Sequence, residues 1–293
     1  MRILASALFV PLLLLTACGR GNPSTILSGT NNGPLSGNWQ LNLLQQYPTA
    51  SAGALFASGF LVQSDNALTG SVQGPDANSN ACSGVGVVAG TVSGQNVTFT
   101  ENLGGTVYTF TGAIATDNQS MSGDYQALGG ACFSFPTSGT WNALLIPPVN
   151  GNFTGTFSNS EYMIAFTGLS TPPPVAVSGS LSQSAMSEGV SSASITGTIT
   201  AVGYPCFSTA TLVGTVSGQN VLLAIYSYNG EQIGTLGPLV VSSGSSGPTL
   251  TGGAGSLTLG VTTKFVSSGP CPAIGSPPLV QDAAQAQLQI TSP

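Results

Sequence analysis

The ionisable side chains of this sequence are few, and their types exclude most catalytic arrangements. The 293-residue chain contains no histidine, three Lys or Arg residues and nine Asp or Glu residues. A Ser-His-Asp triad and a Cys-His pair both require histidine, so neither can form. A Ser-x-x-Lys dyad also fails, because Val261 occupies the position of the nucleophile before Lys264. The sequence also lacks the phosphate-binding motif G-x-x-x-x-G-K-[ST]. We therefore predict a protein that is not an enzyme and binds no cofactor.

Four acidic residues in or beside patterned segments are the remaining candidates for acid–base chemistry. They are Glu101, Asp124, Glu161 and Glu231. A pair of carboxyl groups could hydrolyse a glycosidic bond if the pKa of one of them were raised. The sequence reveals neither the polar partners nor the tuning that such a pair needs. We therefore expect these acids to be solvated groups at strand ends.

Metal binding has one weak candidate segment. Residues 76–80 (DANSN) begin like a calcium-binding loop, but Ala81 stands at its sixth position and Val87 at its twelfth, so an EF-hand is excluded. A looser oxygen-ligand site remains open there, since Asp and Asn are also ordinary turn residues. Zinc is disfavoured, because the chain has no C-x-x-C pair and no histidine. We predict no metal.

The composition favours a folded, all-β protein with an uncharged surface. Hydrophobic residues make up 41% of the chain and charged residues only 4%, with a net charge of −6 and 40 glycines. Disorder driven by low hydrophobicity and high charge is therefore excluded. Nucleic acid is not an expected partner, because its binding requires several Lys or Arg residues. Abundant Gly, Ser, Thr, Asn and Val suit short strands and tight turns.

The beginning of the chain predicts export. Arg2 precedes an apolar stretch over residues 3–15, which is shorter than the roughly 20 residues of a transmembrane helix. The stretch ends in LTAC, whose cysteine is Cys18, and this motif resembles the lipobox of bacterial lipoproteins. The resemblance implies that residues 1–17 are a signal peptide and that lipid, such as palmitate, anchors Cys18 to a membrane. Gly19 replaces the aspartate that often retains such proteins at the inner membrane, which implies the outer membrane or the cell surface.

An internal repeat divides the rest of the chain. The octet GTVSGQNV occupies residues 90–97 and recurs unchanged at 214–221, and GNW at 37–39 matches GNF at 151–153. Because Pro147 and Pro148 disfavour a central strand, we place the boundary there. In chain order we expect a flexible tether over 18–35, a β domain over 36–146, a linker over 147–150 and a second β domain over 151–293.

The cysteines divide between the copies in the same way. With Cys18 assigned to lipid, one pair remains in each copy, and an exported protein leaves the reducing cytosol. We predict disulfides between Cys82 and Cys132 and between Cys206 and Cys271, although a cross-paired connectivity remains open. Closing a loop of roughly 50 residues is worth about 4 kcal/mol in the chain-entropy model.

Alternating patterns predict antiparallel meanders, either up-and-down barrels or sandwiches, with about seven to nine strands per copy. The opening Gly-x-Trp of the first copy, residues 37–39, resembles that of lipocalin and avidin barrels. The resemblance implies that Trp39 and Phe153 plug a barrel end and that the interior holds one small apolar ligand. Phe99, Tyr108 and Phe110 would then face that ligand. The alternative, which we favour, is that these aromatic side chains only fill the core.

Two functions are therefore expected. The first is a non-enzymatic, lipid-anchored envelope protein that presents two β domains for adhesion or for binding a protein or glycan partner. The second is a lipocalin-like carrier of a small apolar ligand. The anchor, the repeat and the missing catalytic groups favour the first.

Overall fold

The computed structural model describes residues 25–26, 33–48, 55–74, 84–128, 136–187, 190–243, 247–260, 271–272 and 282–291. The predicted signal peptide, Cys18, Cys82, Cys132 and the segment 76–80 lie outside these ranges, so what we expect of them stays a prediction. Among the described residues, no helix has the length and apolar character needed to cross a membrane.

The first half of the chain forms a closed, eight-stranded antiparallel barrel, which we call barrel 1. Each strand pairs with its neighbours in sequence, and the last strand pairs with the first. The two-residue strand β1 (Thr25–Ile26) precedes it. The barrel strands are β2 (Gly37–Tyr47), β3 (Leu55–Ser64), β4 (Ala67–Gln73), β5 (Val85–Ser93), β6 (Asn96–Leu103), β7 (Thr106–Ile114), β8 (Ser120–Leu128) and β9 (Thr137–Ile146).

The second half forms a related closed barrel, barrel 2, with eight strand positions. Strands β17 and β18 each pair with both β16 and β19, so they share one position, and β19 pairs with β10 to close the ring. The elements are β10 (Gly151–Ser158), α1 (Glu161–Thr167), β11 (Val175–Gln183), β12 (Met186–Ser187), β13 (Ala193–Ala201), β14 (Thr209–Ser217), β15 (Asn220–Tyr226), β16 (Gln232–Ser242), β17 (Thr249–Thr251), β18 (Leu257–Leu259) and β19 (Asp282–Thr291).

The predicted fold class is thereby confirmed, and the open choice between barrel and sandwich is decided in favour of barrels. The repeated segments occupy equivalent places: the GNW and GNF motifs lie in β2 and β10, and the two octets span the β5–β6 and β14–β15 hairpins. The Cys206–Cys271 disulfide is present in the second half. A short helix, α1, follows β10.

Strict alternation builds the barrel walls. Strand β6 exposes every second side chain and buries the others, as a strand with one wet face must. Inward glycines make room for large rings: a Cβ on Gly112 would lie 2.9 Å from Cζ2 of Trp141, and one on Gly179 would lie 2.7 Å from Cζ of Phe153. This pairing of small and large residues lets aromatic rings pack inside the barrel walls.

The segment before barrel 1 makes defined contacts where it is described. Thr25–Ile26 pairs with Met186–Ser187 of β12. Leu35 is buried in barrel 1, and its carbonyl accepts a hydrogen bond of 2.9 Å from the indole N–H of Trp39. Part of the segment predicted to be a tether therefore joins the folded structure.

Candidate functional site

The aromatic residues singled out in the sequence are all buried. Phe99 and Phe110 stack with their ring centroids 4.5 Å apart, and Trp141 meets both rings edge-on at 5.4 and 5.6 Å. Trp39 and Tyr108 belong to the same barrel 1 core. Phe153 lies in the barrel 2 core. These rings contact one another and the barrel walls, which is the arrangement expected of core residues.

Glu101 is the unusual group in this core. It lies on β6 between Phe99 and Leu103 on the inward face, and only 2% of it is exposed. Its neighbours across the sheet are Val88 on β5 and Tyr108 on β7. A Cβ on Gly86 would lie 2.6 Å from both Cγ and Oε1 of Glu101, so the acid occupies the space that this glycine leaves. The carboxyl group is therefore built into the barrel wall and points inward.

The burial of Glu101 has a direct electrostatic consequence. Loss of solvation raises the pKa of its carboxyl group from 4.5 to about 8. Its Oε1 has no hydrogen-bond partner among the described residues. The group is therefore mostly neutral at pH 7, and a neutral carboxylic acid can donate a hydrogen bond.

Tyr125 adds a second polar group to the same interior. It lies on β8 directly across from Phe110, and only 2% of it is exposed. Burial raises the pKa of its hydroxyl group. In the described part of the chain this hydroxyl, like Oε1 of Glu101, has no hydrogen-bond partner. Within the described residues, the interior of barrel 1 thus contains two polar atoms without a hydrogen-bond partner, Oε1 of Glu101 and the hydroxyl oxygen of Tyr125.

The four acids named from the sequence were predicted to be solvated. This prediction is wrong for Glu101, whereas Asp124, Glu161 and Glu231 are exposed. Asp124 points outward from β8, so the barrel wall separates it from the inward-facing Glu101. Glu161 and Glu231 are exposed in barrel 2. Within the described ranges no group of three or more His, Cys, Asp or Glu side chains could hold a metal ion.

Barrel 2 contains a buried carboxylate that accepts several hydrogen bonds, and no pattern in the sequence pointed to it. Asp282, at the start of β19, accepts hydrogen bonds from the Ser160 hydroxyl at 2.8 Å, the Tyr162 backbone N–H at 3.0 Å and the Tyr204 hydroxyl. Ser160 also caps α1 by accepting from the Met163 backbone N–H at 2.9 Å. Asp282 therefore fixes the start of α1 and the segment around Tyr204 to the closing strand.

The tyrosines at this cluster are held in their neutral form. Burial, followed by the charge of Asp282, raises the pKa of both Tyr162 and Tyr204. The Tyr162 hydroxyl donates to the carbonyl of Pro272 at 2.7 Å, next to the disulfide-bonded Cys271. With its donors and acceptors satisfied, this cluster is suited to holding structure together and not to binding a ligand.

The repeated octet marks the contact between the two barrels. The turn of the β14–β15 hairpin, residues 217–219, lies on the outer face of β2 and β3. Asn38 donates to the Gly218 carbonyl at 2.9 Å and accepts from its N–H at 3.2 Å. Gln40 accepts from the Gln219 N–H at 3.1 Å, and the hydroxyls of Ser58 and Ser217 are 2.7 Å apart. Asn38 and Gln40 are consequently buried although they point out of barrel 1.

An apolar part accompanies these hydrogen bonds. Phe60 and Ile146 flank Asn38 on the adjacent strands of barrel 1. Both are buried in the hydrophobic cluster of barrel 2. The contact between the barrels therefore combines hydrogen bonds to the turn with buried apolar surface.

Substitution of Gly218 should weaken this contact, and Gly94 offers a matched control. Both glycines have positive φ values, +52° and +58°, in identical octets. A Cβ on Gly218 would lie 2.7 Å from Cβ of Ser58, whereas one on Gly94 would have no neighbour within 4 Å. Gly94→Ala should lower the free energy of unfolding by about 1 kcal/mol, from backbone strain alone. Gly218→Ala should lower it by about 2 kcal/mol more, because its Cβ also clashes with Ser58.

Urea denaturation with separate probes for the two barrels would measure these costs. Equal destabilisation by the two variants would contradict a specific fit at Gly218.

Comparison of the chain with protein-family models, with curated proteins and with solved structures gives no match.

Proposed function

We propose that this protein is a non-enzymatic, lipid-anchored component of a bacterial cell envelope that presents two rigid β barrels for adhesion or partner binding. The supporting observation is an apolar row on the outer face of barrel 1. Val87, Val107 and Leu128 lie in one cross-strand row, with Asn102 between the first two. Val87 is 62% exposed and Leu128 59% exposed. Adjacent exposed apolar side chains are typical of interaction sites.

The remainder of the outer surface supports binding without long-range charge effects. The outward side chains of β19 include Gln285 and Gln287, and those of β6 include Thr98 and Thr100. Amide and hydroxyl groups can bond to glycans or to polar protein surfaces, and such contacts depend little on ionic strength. Large apolar side chains line the interiors of both barrels. For this proposal we therefore place the binding on the outer faces of the barrels.

The anchor is tested through Cys18. With the intact export segment, the protein should fractionate with membranes and incorporate a palmitate analogue. Cys18→Ser should abolish the labelling and release the protein from the membrane fraction. Labelling that persists in this variant would contradict the proposed anchor.

Binding is tested with residues 18–293 carrying Cys18→Ser, which retain every described residue. Saturable binding to envelope fragments of the producing bacterium is expected. The double variant Val87→Asn, Leu128→Asn should weaken it at least about tenfold, since few interface residues carry most of the affinity. Leu222→Asn is the matched control, because Leu222 is comparably exposed on barrel 2. Wild-type binding no stronger than that of an unrelated β protein would exclude this proposal.

A second candidate is a carrier of a small apolar ligand, and the unpartnered groups inside barrel 1 favour it. A neutral Glu101 and the Tyr125 hydroxyl could both donate to a carbonyl oxygen on such a ligand. Native mass spectrometry of protein from its own host should then reveal bound ligand, and Glu101→Leu should lose it. The absence of any bound ligand, together with unchanged tryptophan fluorescence across a panel of hydrophobic ligands, would eliminate this candidate.

A further inference from the structure

The same hairpin turn occurs in both barrels, and it is docked on the other barrel in one case and exposed in the other. Residues 93–96 of barrel 1 and 217–220 of barrel 2 have the same sequence, SGQN. In barrel 2 the turn is docked on barrel 1, and Gly218 is buried. In barrel 1 the four residues 93–96 are all exposed.

The two turns have the same local structure. The Gln95 carbonyl accepts from the Ile114 N–H at 2.8 Å, and the Gln219 carbonyl accepts from the Val241 N–H at the same distance. The central glycines have nearly equal φ values. The exposed turn therefore already has the shape of the docked one, and no rearrangement is needed for it to bind in the same way.

The surface that receives the turn is also present twice. Asn38 and its cross-strand neighbour Phe60 on barrel 1 correspond in register to Asn152 and Ser180 on barrel 2. The pair Gln40 and Ser58 corresponds to Thr154 and Ser178. Asn152, Thr154 and Ser178 are exposed. Barrel 2 therefore carries an exposed face equivalent to the one that receives the turn on barrel 1. Asn152 on this face retains the side-chain amide with which Asn38 makes two hydrogen bonds to Gly218.

We propose that the exposed turn at residues 93–96 docks on the face around Asn152 of a second copy of this chain, so that copies associate head to tail. This inference rests on the proposed function and names one partner for it. Asn152 would hold Gly94 through the same two hydrogen bonds that Asn38 makes to Gly218. Because the contact joins different surfaces, each added copy leaves one turn and one face open, and the assembly is an open chain.

The intermolecular contact is weaker than the contact within the chain. Ser180 replaces Phe60 and Thr291 replaces Ile146, so the apolar part is missing. The shorter Thr154 also replaces Gln40. Within one chain the linker keeps the two barrels close, whereas separate copies depend on their concentration, which anchoring in one membrane would raise.

Sedimentation velocity of residues 18–293 with Cys18→Ser tests the proposal between about 1 µM and about 1 mM protein. The mean sedimentation coefficient should rise with concentration, and species larger than dimers should form. Gly94→Asn adds bulk while tolerating positive φ, and Asn152→Ala removes the amide. Each should weaken association at least about tenfold. Gly105→Asn is the matched control, because Gly105 has a positive φ and open surroundings in the β6–β7 turn.

A strengthening variant makes the test sharper. Ser180→Phe restores the aromatic group that Phe60 supplies on barrel 1, and it should shift association to at least about tenfold lower concentration. Addition of Gly94→Asn should reverse this gain, which distinguishes docking from general stickiness.

The proposal would be overturned if the wild type and the Ser180→Phe variant were both monomeric at every concentration. It would also be overturned if Gly94→Asn and Asn152→Ala left the association unchanged. Dimers that are weakened by substitution of Gly218 but not of Gly94 would indicate domain swapping, in which the turn at 217–220 of one copy docks on barrel 1 of another, and would likewise overturn it. A monomeric chain that binds envelope fragments would remove this inference and leave the proposed function standing. Head-to-tail association without binding to envelope fragments would do the reverse.

Discussion

Replacement of Glu101 by glutamine should stabilise barrel 1 by about 3 kcal/mol at pH 7 and by close to nothing at pH 4. The reason is the burial of this carboxyl group, which raises its pKa from 4.5 to about 8 in the folded state. Glutamine has nearly the same shape and no charge to desolvate. The benefit should therefore appear only where the unfolded chain would release a proton that the folded chain holds.

The direction of the pH dependence follows from proton binding. Between pH 4.5 and 8 the folded state holds more protons at Glu101 than the unfolded state, so the stability of the wild type falls as the pH rises. Below pH 4.5 both states are protonated and the effect vanishes. Across the window the slope is about 1.4 kcal/mol per pH unit, and the difference between wild type and Glu101→Gln approaches about 5 kcal/mol near pH 9.

The chain offers a selective probe for this experiment. Its two tryptophans, Trp39 and Trp141, both lie in the barrel 1 core, so tryptophan fluorescence during urea denaturation reports that barrel. Glu231→Gln is the control, since Glu231 is exposed in a turn of barrel 2. A constant difference between wild type and Glu101→Gln from pH 4 to pH 9 would show that the carboxyl group titrates normally and would contradict its burial.

The alternation of apolar and polar residues predicted the strands, and it also indicated that Glu101 faces inward. Val97, Phe99 and Leu103 alternate with polar residues, and Glu101 falls on their side of the strand. We expected a solvated group, because the sequence reveals neither the polar partners nor the tuning that a pair of acids needs. The alternation nevertheless places Glu101 inside the barrel, where burial favours the neutral form of its carboxyl group.

Other features depended on tertiary contacts or on segments too short to show a pattern. Strands β17 and β18 have three residues each, so no alternation could reveal that they share one strand position. Helix α1 was hidden by the β-rich composition, although Ser160 and the left-handed Gly168 are suitable caps at its two ends. Of the two identical turns, residues 217–220 contact barrel 1 whereas residues 93–96 are exposed, and this difference depends on how the barrels pack.

Removal of the Asp282 carboxylate should have the largest effect on barrel 2. Asp282→Ala leaves the Ser160 hydroxyl, the Tyr204 hydroxyl and the Tyr162 N–H without their acceptor in a buried place. Hydrogen bonds to charged groups contribute about 1.5 to 3 kcal/mol each, and the losses are not additive. We expect the free energy of unfolding of barrel 2 to fall by about 4 kcal/mol. Ser160→Ala, which removes one of these donors and the cap of α1, should cost about 1 kcal/mol.

Hydrogen exchange measures this effect where tryptophan is lacking. The slowest amides of β14 and β15 report the global opening of barrel 2, and a loss of about 4 kcal/mol makes them exchange roughly a thousandfold faster. The amides of α1 should lose protection in both variants, while tryptophan fluorescence of barrel 1 should change little. Asp124→Ala is the control, because Asp124 is exposed on the outer face of β8. If Asp282→Ala altered exchange no more than Asp124→Ala does, the carboxylate would not be what holds α1 and the Tyr204 segment to the closing strand.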